Sequence, residues 1–259
     1  MIQVRNLTRN FGNFCAVRNL SLDIPRGELF CFLGPNGAGK TTTLKMLTGL
    51  LRPTSGSMRI DGLDIARDPI AVKKIVGYIP DTPFLYERLT PVEFFKFTGD
   101  LYNIPWRLVA QNLESSFATF GLDEYRNVLI KDLSHGMRQR LTYAATFLHD
   151  PKVLFIDEPL VGLDPRSIKA IKNLLKDKTR TGTTILLTTH ILALAEDIAD
   201  RIGIINNGIL IALGTMDQLN KQSGIDGNLE EIFLSLTQSG ASLDLPGVDR
   251  NTQSSTREA

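Results

Sequence analysis

Two kinds of hydrophobic pattern alternate along the chain. At its start, "IQVRNL" and "AVRNLSLDI" switch between apolar and polar residues with a period of two, which predicts half-buried strands, with Gly12 and the turn at Pro25 to Gly27 as punctuation. "LFCFL" is then apolar throughout, as expected of a strand covered on both faces, and a glycine-rich turn leads from it into "KTTTLKMLTGL", whose apolar spacing is helical. From about 82 to 150 the pattern is mostly helical: "PVEFFKFTGDLYNI", "WRLVAQNLESSFATFG" and "MRQRLTYAATFLHD" repeat apolar residues at intervals of three and four and end at Pro, Gly or Asp. Strand "VLFID", helix "RSIKAIKNLLKDKT", strand "TTILLTTH" and helix "ILALAEDIAD" follow, and "RIGIINNGILIALG" places two apolar runs around Asn-Gly, a strong hairpin signal. Strands that alternate with helices need right-handed crossovers and a mainly parallel sheet. The predicted fold class is therefore α/β, with an N-terminal antiparallel β subdomain and a helical subdomain inserted at about 82–150. Residues 1–237 form the expected domain, and 238–259, poor in aromatics and rich in Ser, Thr, Asp and Gly, is expected to be a disordered tail.

Composition narrows the functional classes. The net charge of +1 with 22% charged residues gives no general attraction to nucleic acid or to an anionic membrane surface. Cys15 and Cys31 form no C-x-x-C pair, which speaks against a disulfide framework or a zinc site and fits a reducing cytoplasm. The most apolar runs are strand-sized, short of the roughly 20 residues that a spanning helix needs. No secretory leader is visible at the start.

Chemistry enters at "GPNGAGKT", which fits G-x-x-x-x-G-K-[ST] between a predicted strand and a predicted helix. Gly34, Gly37 and Gly39 allow the backbone to wind closely enough for its N–H groups to face phosphate, so the stretch Gly34, Pro35, Asn36, Gly37, Ala38, Gly39, Lys40, Thr41 and Thr42 is the expected nucleotide loop of a P-loop NTPase core. Lys40 would reach the β- and γ-phosphates and the Thr41 hydroxyl would ligate Mg²⁺. In "VLFIDEP", Asp157 and Glu158 fall where a buried strand ends, the edge at which such sheets hold ligands. Asp157 suits Mg²⁺ and Glu158 suits the general base of an attacking water. His190, closing "TTILLTTH", should emerge at the same edge as a donor to a γ-phosphate; His135 and His149 share no metal-ligand spacing with it.

Together with "GPNGAGKTT", "VLFIDEP", "GLDP" and "TTH", the stretch "DLSHGMRQR" makes residues 1–237 resemble the nucleotide-binding subunit of an ABC (ATP-binding cassette) transporter. That resemblance implies an ATPase that sandwiches two ATP molecules with a second copy of itself or a homologous cassette. In such a dimer Ser134 and the Gly136 N–H cap the phosphate held by the other subunit. It also implies that Phe11 stacks on adenine, that Gly162, Leu163 and Asp164 communicate across the dimer, and that His190 is the switch histidine. The implied partner is a separate transmembrane permease, docked around Asp81, Phe84 and Tyr86, with the chain on the cytoplasmic face of the membrane.

Two positions depart from the family pattern. The usual signature L-S-G-G-Q is here Leu133, Ser134, His135, Gly136, Met137, and Asp81 stands where the family usually has Gln, with a shorter stem and an added charge that still suits Mg²⁺. The signature variant and the acidic-aromatic "LEEIFLSLT" resemble the exporter branch that handles drugs and polysaccharides. The alternative is a soluble ABC protein acting as an ATP-gated clamp on ribosome or nucleic acid. Such proteins usually carry two cassettes or long coiled coils, and neither pattern is present.

Overall fold

The computed structural model describes residues 1–158, 160, 164–225 and 227–239. Gly162, Leu163 and the expected tail from residue 240 onward lie outside these; residues 238 and 239 belong to the last helix.

Strands β1 (Ile2–Phe11) and β2 (Phe14–Ile24) pair antiparallel around the Gly12 turn, and both are longer than the alternation alone predicts. Irregular register with left-handed Asn6 and Asn19 interrupts that alternation in mid-strand. β3 (Leu29–Leu33) is buried throughout, and the glycine-rich turn delivers the chain into α1 (Lys40–Leu47). The next segment carries elements the sequence pattern did not reveal: β4 (Ser55–Ile60), β5 (Leu63–Asp64), α2 (Pro69–Ile75) and β6 (Val76–Ile79). The helical insert follows as α3 (Pro91–Leu101), α4 (Trp106–Phe120) and α5 (His135–Phe147). A complete capping box, Thr90 with Glu93, starts α3, and left-handed Gly121 stops α4. Then come β7 (Val153–Asp157), α6 (Pro165–Arg180), β8 (Thr184–Thr189), α7 (Leu192–Ile198), β9 (Arg201–Asn206), β10 (Ile209–Gly214), α8 (Met216–Ser223) and α9 (Leu229–Ser239).

The strands form two sheets. One is antiparallel in the order β2-β1-β4-β5; the other has the order β10-β9-β3-β8-β7-β6, parallel except for the β10 hairpin arm. Alternation along the central strands sorts the core into two layers. Phe30, Phe32, Val153, Phe155 and Leu186 pack toward the antiparallel sheet and α1, whereas Leu29, Cys31, Leu154, Ile156 and Leu187 pack toward the insert and α6 to α9. The strand order sets the ends of β3, β6, β7 and β8 along one edge, with Ile79 opposite Ile156, Asp157 opposite Thr188 and Leu33 opposite Thr189. Every chemical motif read in the core leaves the sheet there.

The insert packs into the second layer through Phe95 and Phe117, both fully buried, their rings edge to face with centroids 5.6 Å apart. Phe117→Ala is expected to cost about 3–5 kcal/mol. A lowered midpoint of urea unfolding checks this.

Candidate nucleotide site

Gly34 and Gly39 are required by close approach. A Cβ on Gly34 would stand 2.3 Å from the Ile205 carbonyl oxygen; Gly39 has φ +105° and a Cβ there would meet the Ala16 carbonyl oxygen at 2.5 Å. The β9–β10 turn supports the loop from behind, since Gly208 N–H donates to the Ala38 carbonyl at 2.9 Å and Arg18 N–H donates to the Gly208 carbonyl at 2.8 Å. The sequence had marked Asn207-Gly208 as a hairpin turn only.

The loop lines a cleft of about 350 Å³ with Asn36, Gly37, Ala38, Gly39, Lys40, Thr41 and Thr42 on its floor, Phe11 and Phe14 at one end, and Asp81 and Glu158 at the other. Gly34 and Pro35 lie just behind it, and their carbonyls accept from Lys40 Nζ at 2.7 and 3.1 Å. Phe11 is 46% exposed and Phe14 is 63% exposed, so neither ring is spent on the core. Arg9 lies over the Phe11 ring, its guanidinium 4.4 Å from the centroid. Phe14 was not among the residues expected from sequence; only its place in an alternating strand near Phe11 could have suggested it.

At the opposite end, the Lys40 ammonium is 3.7 Å from Glu158 Oε1, and burial lowers its pKa against the raising influence of Glu158 and Asp157. Glu158 holds a left-handed backbone, φ +50°, costly for a residue with a long side chain and typical of a site where orientation matters. His190 Nδ1 stands 3.0 Å from Glu158 Oε2, close enough to pair although off hydrogen-bond alignment. Asp157 is fully buried. Its Oδ1 accepts from the Thr188 hydroxyl at 2.5 Å, while Oδ2 has no hydrogen-bond partner among the described residues. Burial pushes the Asp157 pKa up, the Thr188 and Thr41 hydroxyls pull it down, and the charges of Asp81 and Glu158 push it up again. Asp81 is exposed at the end of β6 and accepts from Thr82 N–H at 2.7 Å.

Ser134 and Gly136 do not join this cleft. Ser134 caps α5, its Oγ accepting from Met137 N–H at 3.3 Å, and Ser134 and His135 are exposed in the insert. Asp164 caps α6, accepting from Arg166 and Ser167 N–H, each at 3.0 Å. The chain thus carries its glycine-rich cradle in one place and the Ser134-capped N-terminus of α5 in another.

Fold and cradle together define a P-loop nucleotide-binding α/β protein. A family model described as ABC transporter matches residues 17–161, and the chain belongs to that family. The daunorubicin/doxorubicin resistance ATP-binding protein DrrA of Streptomyces peucetius is 37% identical over 240 residues, an alignment covering 93% of this chain and 72% of that protein. The probable multidrug ABC transporter ATP-binding protein YbhF of Escherichia coli is 35% identical over 240 residues and 91% of this chain, which spans only 41% of that relative's length. A solved ATP-binding subunit of an ABC transporter matches with a TM-score of 0.87 at 33% identity, over 91% of this chain and 99% of its own.

Burial raises the proton affinity of Asp157 in the folded state above that of the unfolded chain, so ionisation at neutral pH opposes folding. Asp157→Asn removes that charge and is expected to raise the unfolding temperature of the ligand-free protein, by about 2–4 °C for each kcal/mol relieved. Thermal unfolding at pH 7.5 in EDTA checks the sign.

Proposed function

We propose that this chain is the ATP-hydrolysing subunit of a drug-exporter-type ABC transporter, closing on Mg²⁺-ATP against a second copy of itself or a homologous cassette and driving a separate permease from the cytoplasmic face of the membrane. The observation that carries the proposal is the convergence of Lys40, Asp81, Asp157, Glu158 and His190 from four different strand ends on one edge of the sheet.

Each residue has a step it can perform. Phosphate oxygens replace the Gly34 and Pro35 carbonyls on Lys40, exchanging neutral acceptors for charged ones and so strengthening the bonds. The first N–H groups of α1 lack helical partners and present the positive end of that helix to the same oxygens. Phe11 and Phe14 offer exposed ring faces to a base. Glu158 accepts the proton of the water that attacks the γ-phosphate, and His190 beside it donates to that phosphate.

The donor set suits Mg²⁺. Among the described residues no group of three or more His, Cys, Asp or Glu is arranged to hold a metal, yet the buried Asp157 Oδ2 lacks a partner and the Thr41 hydroxyl lies against the same carboxylate. Asp157 and Thr41 would hold Mg²⁺, an ion that takes few protein oxygens beside water and substrate phosphates, and Asp81 would assist. The ion would there supply charge neutralisation at the phosphate oxygens.

Glu158→Gln is expected to lower kcat for ATP hydrolysis by about 10² to 10⁴ while ATP still binds. Near-normal turnover removes Glu158 from the base role.

The permease has a surface to meet. Leu50, Phe84, Phe94, Tyr102 and His149 line an apolar groove of about 490 Å³ between the core and the insert, and Phe84 at its rim is 86% exposed. Asp81 in the cleft and Phe84 in the groove are three residues apart, so movement at the nucleotide reaches the groove through a short segment. Tyr86, also exposed, stacks edge-on against Phe97 at 5.2 Å and lies 6.4 Å from the Phe94 ring of the groove, so it extends the surface that Phe84 anchors. Among the described residues no helix is long and apolar enough to cross a membrane. Phe84→Asp is expected to cost about 2 kcal/mol or more of docking energy. Loss of co-purification with the permease, with solution ATPase activity retained, is the readout.

A further inference from the structure

Strand β8 is buried from end to end, and on the face that carries Leu186 its next residue is Thr188, fully buried in the layer built from Phe32, Phe155 and Leu186. Valine fills such a position without a polar atom. A hydroxyl there is unfavourable unless it is hydrogen-bonded, and the bond it makes runs to Asp157 Oδ1, directly across the strand pair at 2.5 Å. The backbone carbonyl of the same residue accepts Glu158 N–H at 3.1 Å. One residue therefore holds both acids, the first by its side chain and the second by its main chain.

The side-chain bond has a directional consequence. The terminal torsion of an aspartate is broad and would let the carboxylate turn. Fixing Oδ1 to Thr188 fixes the carboxylate plane and leaves Oδ2 as the oxygen without a partner. We propose that Thr188 is a positioning residue for the divalent cation: its hydroxyl selects Oδ2 of Asp157 as the oxygen that faces the ion. The proposal rests on the Mg²⁺ reading given above and adds to it a requirement on a residue that touches neither nucleotide nor cation.

The test is a Mg²⁺ titration of thermal unfolding with the full chain, held at a saturating concentration of the β,γ-imido analogue of ATP so that hydrolysis plays no part. Thr188→Val keeps the volume and the main-chain bond to Glu158 but removes the hydroxyl; Thr188→Ser keeps the hydroxyl and removes the methyl. The expected result is that Thr188→Val needs at least about fivefold more Mg²⁺ for half of the stabilisation, with analogue binding in EDTA unchanged, and that Thr188→Ser stays within about twofold of the parent. A packing role predicts another pattern: a lower unfolding temperature for both variants at an unchanged Mg²⁺ midpoint. That result overturns the proposal, as does a parental midpoint in Thr188→Val alone. If Thr188→Val does not fold, Thr188→Ala is read by the same criteria. If the parent itself shows no Mg²⁺-dependent stabilisation, the cation reading fails first, and the inference with it.

Discussion

A carboxylate with no solvent exposure ends β7, and the arrangement around it follows from the need to keep that charge tolerable. Burying an ionised group in this layer is unfavourable unless partners and counter-charge are supplied. Thr188 supplies one bond, the Thr41 hydroxyl and the Lys40 ammonium come from the first turn of α1, and Oδ2 has no hydrogen-bond partner among the described residues. Parallel pairing makes this possible: β7 lies beside β8, and β8 beside β3, so groups at or just past the ends of three strands distant in sequence meet at one carboxylate.

In the proposed function the same edge links chemistry to larger movement. β6 is the outermost strand of that sheet, and the chain leaving it passes Asp81 in the cleft before Phe84 in the apolar groove. Meanwhile Ser134 presents the N-terminus of α5 to solvent, away from the cleft of its own chain. A helix N-terminus is favourable for anions, and in the proposed function a second copy brings the phosphate to this one. In the proposed function, the separation of cradle and cap within one chain makes ATP the adhesive between two chains.

Much of the central sheet and its edge could be read from the sequence because uninterrupted apolar runs ended abruptly at glycine, acid or histidine: "LFCFL" at Gly34, "VLFID" at Glu158, "TTILLTT" at His190. The elements that escaped have weak patterns for identifiable reasons. β4 buries only Met58 and Ile60 of its six residues, β6 is four residues long, and α8 buries Leu219 alone, so none offers enough apolar positions to define a period. Thr188 was absorbed into an apolar strand, and its role became visible only when the register set it opposite Asp157. The support that Gly208 gives to the nucleotide loop joins residues 170 positions apart along the chain, which no local pattern encodes. Phe14 was hidden by its strand, where an exposed aromatic and a packed one look alike.

In the proposed function one chain holds half of each ATP site. Light scattering on Glu158→Gln, with and without Mg²⁺-ATP, tests it most directly when Ser134→Glu is added on the same chain. ATP is expected to double the particle mass of Glu158→Gln, and the added Ser134→Glu to leave the protein monomeric although each monomer still binds ATP. A mass that stays at one chain in Glu158→Gln with ATP bound, or a dimer that forms equally well with Ser134→Glu, contradicts it.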